Sequence, residues 1–120
     1  MSTTILVVDD SQTDFLYVRR ILEANGFNVA YSPSGQAALT DVKKVKPALI
    51  LMDVVMPEMN GFQATRALSK DPECQNIPVI VLSSKSEKTD VVWAMRQGAR
   101  DYLVKPVDPT ALITAVNKLV

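Results

Sequence analysis

Residues 49–57 read Leu49-Ile50-Leu51-Met52-Asp53-Val54-Val55-Met56-Pro57, and this stretch decides the fold of the chain. Every position before Asp53 is apolar, without polar alternation, which predicts a strand buried on both faces of a parallel sheet. Asp53 follows at the carboxyl end of the strand, where open α/β sheets bind their ligands. Because a partly buried carboxylate is costly without a partner, we expect a cation beside Asp53.

The length and composition of the chain predict one globular domain that covers residues 1–120. Of the 120 residues, 48% are hydrophobic and 22% are charged, which suits a single core. The 13 basic and 13 acidic residues balance, so nothing favours nucleic acid or a membrane surface as a partner. No apolar run is long enough to span a bilayer, and the polar start Met1–Thr4 is not a signal peptide. These features predict a cytoplasmic location.

Residue types that are missing narrow the possible chemistry. The chain contains no histidine, which excludes histidine-based zinc sites, Ser-His-Asp triads and histidine general bases. Cys74 is the only cysteine, so the chain has no internal disulfide. A carboxylate is then the most credible nucleophile.

Strand and helix patterns alternate five times along the chain. The predicted strands cover residues 4–8, 27–31, 48–53, 77–82 and 102–104. The helix after the first strand has Ser11 or Thr13 as its cap and ends at Asn25-Gly26, while Asp108 caps the last helix. The two helices between the third and fifth strands are predicted at residues 62–68 and 89–97. This alternation predicts an α/β fold with a doubly wound parallel sheet and right-handed crossovers.

The carboxyl ends of the predicted strands collect polar side chains at one edge of the sheet. These side chains are Asp9, Asp10, Asp53, Ser83 and Lys105. Three carboxylates so close repel one another, and a hard divalent cation relieves that repulsion. Mg²⁺ needs only one or two carboxylates because it keeps several waters. The sequence therefore predicts Mg²⁺ as cofactor. With a lysine and a hydroxyl beside it, such a site suits phosphoryl transfer to a carboxylate.

Three motifs resemble the receiver domain of bacterial two-component response regulators. They are Val7–Ser11, Leu51–Gly61 and Tyr102–Pro106, and they occur in the family's order on the matching elements. The resemblance covers essentially the whole chain. It implies a flavodoxin-like (βα)5 fold with a five-stranded sheet of order 2-1-3-4-5. It also implies a phosphorelay protein that modifies itself rather than acting as an enzyme on other substrates. No output domain is expected, because no sequence follows the last helix.

The resemblance assigns roles to the residues at the sheet edge. Asp53 would accept a phosphoryl group from a histidine kinase or its phosphotransfer domain. Asp10, Asp53 and the backbone carbonyl of Val55 would bind Mg²⁺, and Asp9 would hold a metal-bound water. Lys105 would pair with Asp53 and later with the phosphoryl oxygens.

The resemblance also implies a conformational switch. In addition, the chain differs from many members of the family at one position that affects the lifetime of the phosphate. Ser83 would move toward the phosphate while Tyr102 turns inward behind it, and the Lys105-Pro106 peptide would be cis. Many relatives carry a polar side chain where this chain has Val55. Because valine cannot hydrogen-bond an attacking water, we expect slow loss of the phosphate.

The output surface is expected where the fourth helix, fifth strand and fifth helix meet, around Val91, Met95 and Tyr102. Trp93 either packs on a neighbouring loop or anchors a partner. A finer similarity, in Asn60–Arg66, Val92-Trp93 and Gln97–Tyr102, is to stand-alone receivers of the PilH type, which act in chemotaxis-like control of type IV pili and twitching motility.

Other interpretations remain open. Asp9 and Asp10 are also typical caps of a helix. A magnesium-dependent phosphohydrolase would need a second acid two residues after Asp10, where Gln12 stands. A flavodoxin-like cofactor binder would need a phosphate-binding loop after the first strand, where two acids would repel the anion. The chain would also fit an isolated receiver fragment of a longer regulator.

Overall fold

The computed structural model describes residues 3–120, in which five strands alternate with five helices. The strands are β1 (Thr4–Val8), β2 (Asn28–Ser32), β3 (Leu49–Asp53), β4 (Val79–Ser83) and β5 (Asp101–Val104). The helices are α1 (Gln12–Ala24), α2 (Gly35–Val45), α3 (Gly61–Lys70), α4 (Lys88–Arg96) and α5 (Pro109–Leu119). Met1 and Ser2, part of the polar start, lie outside the described residues.

The strands form one parallel sheet of order β2-β1-β3-β4-β5. This order confirms the predicted α/β fold class. In the register of the central strands, Val8 pairs with Met52 and Asp53 pairs with Leu82. The carboxyl ends of β1, β3 and β4 therefore lie side by side, which is what places the functional residues together.

The sheet separates two apolar layers, so its central strands are buried on both sides. Ile5, Val7 and Leu51 face the layer that contains residues of α1 and α5. Leu6 and Ile50, the alternate positions, face the layer that contains residues of α2 and α3. Every residue of β3 is buried, and this confirms the prediction made from its unbroken apolar run.

Three strands, β2, β3 and β4, begin later than predicted, and hydrogen bonds explain the later start of β2 and β4. β2 starts at Asn28 rather than Phe27, because the Phe27 N–H donates to the Leu22 carbonyl and helps to end α1. β4 starts at Val79 rather than Ile77, because the Ile77 N–H turns back to the Cys74 carbonyl and Pro78 has no N–H to donate. The helix α3 is longer than predicted at both ends.

The helix caps agree with the sequence patterns. Ser11 accepts a hydrogen bond from the Asp14 N–H at the start of α1, and Asp108 accepts one from the Ala111 N–H at the start of α5. Pro109 occupies the first turn of α5, where its missing N–H has no cost. Within residues 3–120, no helix combines the length and apolar character needed to cross a membrane.

Lys46 ends α2 in the left-handed region, with φ of 51°, and its side chain is exposed. A residue with a Cβ is strained there, whereas glycine is not. We predict that the free energy of unfolding is about 0.5–1 kcal/mol higher for Lys46→Gly than for Lys46→Ala. The reason is that the relief of backbone strain exceeds the entropy that glycine adds to the unfolded chain. Urea denaturation of both variants and the native chain measures the difference. Equal stability of the Gly and Ala variants would contradict the expected strain.

Candidate functional site

The structure brings the predicted site residues together at the carboxyl edge of the sheet. Asp9 and Asp10 follow β1, Asp53 ends β3, Ser83 ends β4 and Lys105 follows β5. Of these, Asp9, Asp53 and Lys105 are in direct contact. The predicted need of Asp53 for a cation is therefore met within the chain.

Lys105 is the centre of the charge network. Its Nζ lies 2.8 Å from Asp9 Oδ2, 3.0 Å from Asp14 Oδ2 and 3.2 Å from Asp53 Oδ1. Sequence reasoning predicted the contact with Asp53 but missed Asp14, which lies in the first turn of α1. The available signal was its position in the first turn of α1, shortly after the carboxyl end of β1, which keeps it near the same edge of the sheet.

Asp9 is held by backbone and side-chain hydrogen bonds on both sides. Its N–H donates to the Ser32 carbonyl at 3.1 Å, and its own carbonyl accepts from the Tyr31 hydroxyl at 2.8 Å. The Ser11 N–H donates to Asp9 Oδ1 at 2.9 Å, which leaves Oδ2 for Lys105. The Tyr31 ring stacks on Phe15. Burial, together with the charges of Asp9 and Asp10, raises the pKa of Tyr31 above its ordinary value.

The position of Asp53 depends on the close approach of α3. The Gly61 N–H donates to the Val54 carbonyl at 2.9 Å, and a Cβ at residue 61 would clash with the Asp53 carbonyl. Only glycine allows the helix to begin so near the end of β3. The Asn60 side chain then caps α3 in a reciprocal capping box with Gln63.

Burial and neighbouring charges both shift the pKa values of Asp53 and Lys105. Burial raises the pKa of Asp53 to about 6, and the charge of Asp9 adds to this while Lys105 opposes it. For Lys105, burial lowers the pKa, but hydrogen bonds to Asp9 and Asp14 and the charge of Asp53 raise it overall. At neutral pH the site therefore contains an ionised, poorly hydrated carboxylate beside a firmly protonated lysine.

The acidic residues at this edge fit a hard divalent cation. Carboxylate oxygens of Asp9, Asp10 and Asp53 all lie within 4.8 Å of one another. All three are hard oxygen donors, and Lys105 offsets only part of their charge. Asp9 and Asp53 are buried while Asp10 is exposed, so the cluster is open to solvent on one side.

Ser83 and Tyr102 are linked through one residue of the loop after β4. The Lys85 N–H donates to Ser83 Oγ at 3.1 Å, and the Tyr102 hydroxyl donates to the Lys85 carbonyl at 2.8 Å. Ser83 is completely buried and Tyr102 is half-buried. The movements expected of the two residues on phosphorylation stay predictions.

The cluster opens into a cleft of about 650 Å³ between α1 and the loop after β5. Its walls include Tyr17, Val18, Leu82 and Val107, together with Val55, whose side chain is 58% exposed. The Lys105-Pro106 peptide at its edge is cis, as expected. Asp53 is thus accessible from outside although it is buried among the strands.

Comparisons with known proteins agree with this geometry. The sequence pattern of the family described as "Response regulator receiver domain" matches residues 5–117. The chain is 48% identical over 113 residues to the protein PilH of Pseudomonas aeruginosa, covering 94% of this chain and 93% of PilH. It is 36% identical over 117 residues to the DNA-binding response regulator MtrA of Mycolicibacterium smegmatis, covering 98% of this chain and 50% of MtrA.

Solved structures show the same fold. The chemotaxis protein CheY4 of Vibrio cholerae, crystallised at pH 4.0, superposes with a TM-score of 0.93 at 27% sequence identity, and the match covers 100% of both chains. The predicted flavodoxin-like arrangement of strands and helices is confirmed.

The raised pKa of Asp53 predicts a pH-dependent stability. A carboxyl whose pKa rises from 3.8 to about 6 on folding favours the folded state below pH 3.8, and that contribution is lost as the pH rises through about 6. Asp53→Asn, which stays neutral, should therefore be more stable than the native chain by about 1–3 kcal/mol at pH 7.5 without divalent cations. The difference should shrink toward zero near pH 4.

Urea denaturation in EDTA across this pH range measures the difference. Glu73→Gln is a matched control, since it removes an exposed carboxylate in the loop between α3 and β4. If Asp53→Asn is no more stable than Glu73→Gln at pH 7.5, the carboxylate is not destabilised by its surroundings.

Proposed function

The chain belongs to the response regulator receiver domain family, and from this premise we propose that Asp53 accepts a phosphoryl group from a histidine kinase or its phosphotransfer domain. The observation that supports the proposal is the buried Asp53 carboxylate, 3.2 Å from the Lys105 ammonium and open to a cleft. Self-phosphorylation and self-dephosphorylation are then the only reactions of the chain.

The carboxylate of Asp53 supplies the nucleophile. One of its oxygens attacks the phosphorus of the phosphohistidine, the bond from phosphorus to the imidazole nitrogen breaks, and its electron pair stays on the nitrogen. With a pKa of about 6, Asp53 is ionised at neutral pH and needs no general base. Poor hydration by its buried surroundings leaves the carboxylate more available for attack.

Lys105 neutralises the charge that the reaction brings into the site. Its ammonium already lies within hydrogen-bond reach of Asp53, so it can donate to the phosphoryl oxygens as they arrive. In our proposal Asp10, Asp53 and the backbone carbonyl of Val55 hold Mg²⁺, with Asp9 holding one of its waters. When bound, the cation supplies further positive charge to the phosphoryl oxygens.

Ser83 and Tyr102 carry the signal away from the site. We propose that the Ser83 hydroxyl donates to a phosphoryl oxygen and that Tyr102 follows it inward. Both residues contact the backbone of Lys85, so a movement of Ser83 would displace the residue to which the Tyr102 hydroxyl is bonded. This contact is the physical link between the phosphate and the outer surface.

The signal is read by a protein partner at the surface formed by α4, β5 and α5. Val92, Trp93, Met95 and Val104 are apolar and between 43% and 50% exposed, and Val91 and Tyr102 lie beside them in sequence. Such a group of exposed apolar side chains is typical of a protein-binding surface. The balanced charge gives no support for nucleic acid or membrane as the partner.

The pathway is a chemotaxis-like system in the cytoplasm. The 48% identity with PilH supports a role in the control of type IV pili and twitching motility, as the motifs suggested. The chain is one receiver domain in this proposal, with output through its own surface.

Incubation with Mg²⁺ and acetyl phosphate tests the phosphoacceptor. We expect intact mass spectrometry to show one added phosphoryl group on the native chain and on Glu73→Gln, and none on Asp53→Asn. Without Mg²⁺ the uptake should be lost, and Trp93 fluorescence should change only when uptake occurs. Phosphoryl uptake that survives in Asp53→Asn would disprove the assignment of Asp53.

The valine at residue 55 leads us to expect a long lifetime for the phosphorylated form. Its exposed side chain borders the cleft but cannot position an attacking water. Val55→Asn should therefore shorten the lifetime of the phosphorylated form by about tenfold, since a hydrogen-bonding side chain orients the water. Val55→Ala is the control, because it removes the bulk of the side chain without adding a hydrogen bond. Equal lifetimes in the Asn and Ala variants would show that water is not positioned from residue 55.

A further inference from the structure

Asp14 is the carboxylate at the site that the family resemblance does not explain. It comes from the first turn of α1, not from a strand end, and its Oδ2 lies 3.0 Å from Lys105 Nζ. Its side chain is 48% exposed, whereas those of Asp9 and Asp53 are 4% and 8% exposed. Asp14 therefore contacts the central lysine from the solvent side.

Three carboxylates surround the donors of Lys105. An ammonium group has three N–H donors; Lys105 forms hydrogen bonds to Asp9 and Asp14, and Asp53 places an oxygen 3.2 Å from the same nitrogen. While the phosphoryl group approaches and Asp53 still carries its charge, the phosphoryl oxygens compete with all three carboxylates for the donors of Lys105. Phosphoryl transfer to Asp53, the function proposed above, thus requires a rearrangement around the lysine.

Exposure decides which contact is given up. A buried carboxylate that loses its cation is left poorly hydrated, which is costly, whereas an exposed one is rehydrated by water. Asp9 and Asp53 are buried carboxylates of this kind, whereas Asp14 is exposed. The contact between Lys105 and Asp14 is the one that can break at low cost.

We propose that Asp14 is a positioning residue that holds the Lys105 ammonium on the solvent side of the site in the resting protein and releases it when the phosphoryl group arrives. Because Asp14 stabilises the resting arrangement and its charge repels the phosphate, it slows phosphorylation and shortens the lifetime of the phosphorylated form. The resting contact thereby sets the balance between the two states.

The resting contact is tested in the protein without metal. Lysine ammonium groups give ¹H–¹⁵N NMR signals whose shift and exchange with water report their hydrogen bonds. We expect the Lys105 signal to shift and to exchange faster in Asp14→Asn and Asp14→Ser. It should be unchanged in Glu23→Gln, which removes an exposed carboxylate elsewhere on α1. An unchanged Lys105 signal in both Asp14 variants would overturn the proposal.

The functional consequence is tested by phosphorylation kinetics with acetyl phosphate and Mg²⁺. We expect Asp14→Asn and Asp14→Ser to accelerate phosphoryl uptake by about two- to fivefold, in line with the loss of one partly exposed ion pair, and to lengthen the lifetime. Asp14→Glu, which restores the charge, should return both quantities toward the native values. Glu23→Gln should match the native chain.

The outcomes separate this proposal from the proposed function. If the native chain takes up phosphate at Asp53 and both Asp14 variants match Glu23→Gln, Asp14 has no positioning role while Asp53 remains the acceptor. If the native chain takes up no phosphate, the proposed function fails, and the role of Asp14 in it fails too. Thermal melting curves of all variants confirm that the compared proteins are folded.

Discussion

The ion pairs of Lys105 are the interaction on which the site depends. Two of its partners, Asp9 and Asp53, are buried at the ends of neighbouring strands. Removing the lysine would typically cost about 3–5 kcal/mol, because two buried carboxylates would then be left without compensation. The lysine follows β5, so its side chain reaches across β4 to the ends of β3 and β1. Charge compensation thereby fixes the strand ends relative to one another.

The positive charge of Lys105 compensates only part of the negative charge at this edge of the sheet. Asp9, Asp10 and Asp53 carry three negative charges against one lysine in contact with two of them. The raised pKa of Asp53 shows that the folded chain disfavours its charged form even with Lys105 nearby. The charged form of Asp53 that the proposed function needs therefore lowers the stability of the fold. The same excess of negative charge is what a divalent cation would relieve, so the mutual repulsion of the three carboxylates favours binding of such a cation.

Sequence patterns predicted the features that depend on strand position. The buried β3, the alternation of elements and the contact between Asp53 and Lys105 follow from apolar runs and from the shared edge of a parallel sheet. Patterns failed where the outcome depends on three-dimensional approach. The sequence predicted a helix that begins after Gly61, but the lack of a Cβ at Gly61 is what lets α3 start against Asp53. The ion pair of Asp14 depends on the rotation of α1 and on the path of a long lysine side chain, neither of which periodicity specifies.

The site thus contains two kinds of position with different freedom to vary. Asp9, Asp53 and Lys105 are buried and in contact through the lysine, so a change at any of them alters the charge balance of the whole site. Val55 and Asp14 border the same cleft from exposed positions, where substitution removes little packing and leaves no buried charge. In the proposed function the buried set determines which reaction is possible, while we expect the exposed set to influence how fast water or a phosphoryl group approaches Asp53. Rates can therefore be adjusted at the rim without a change in the fold or in the chemistry.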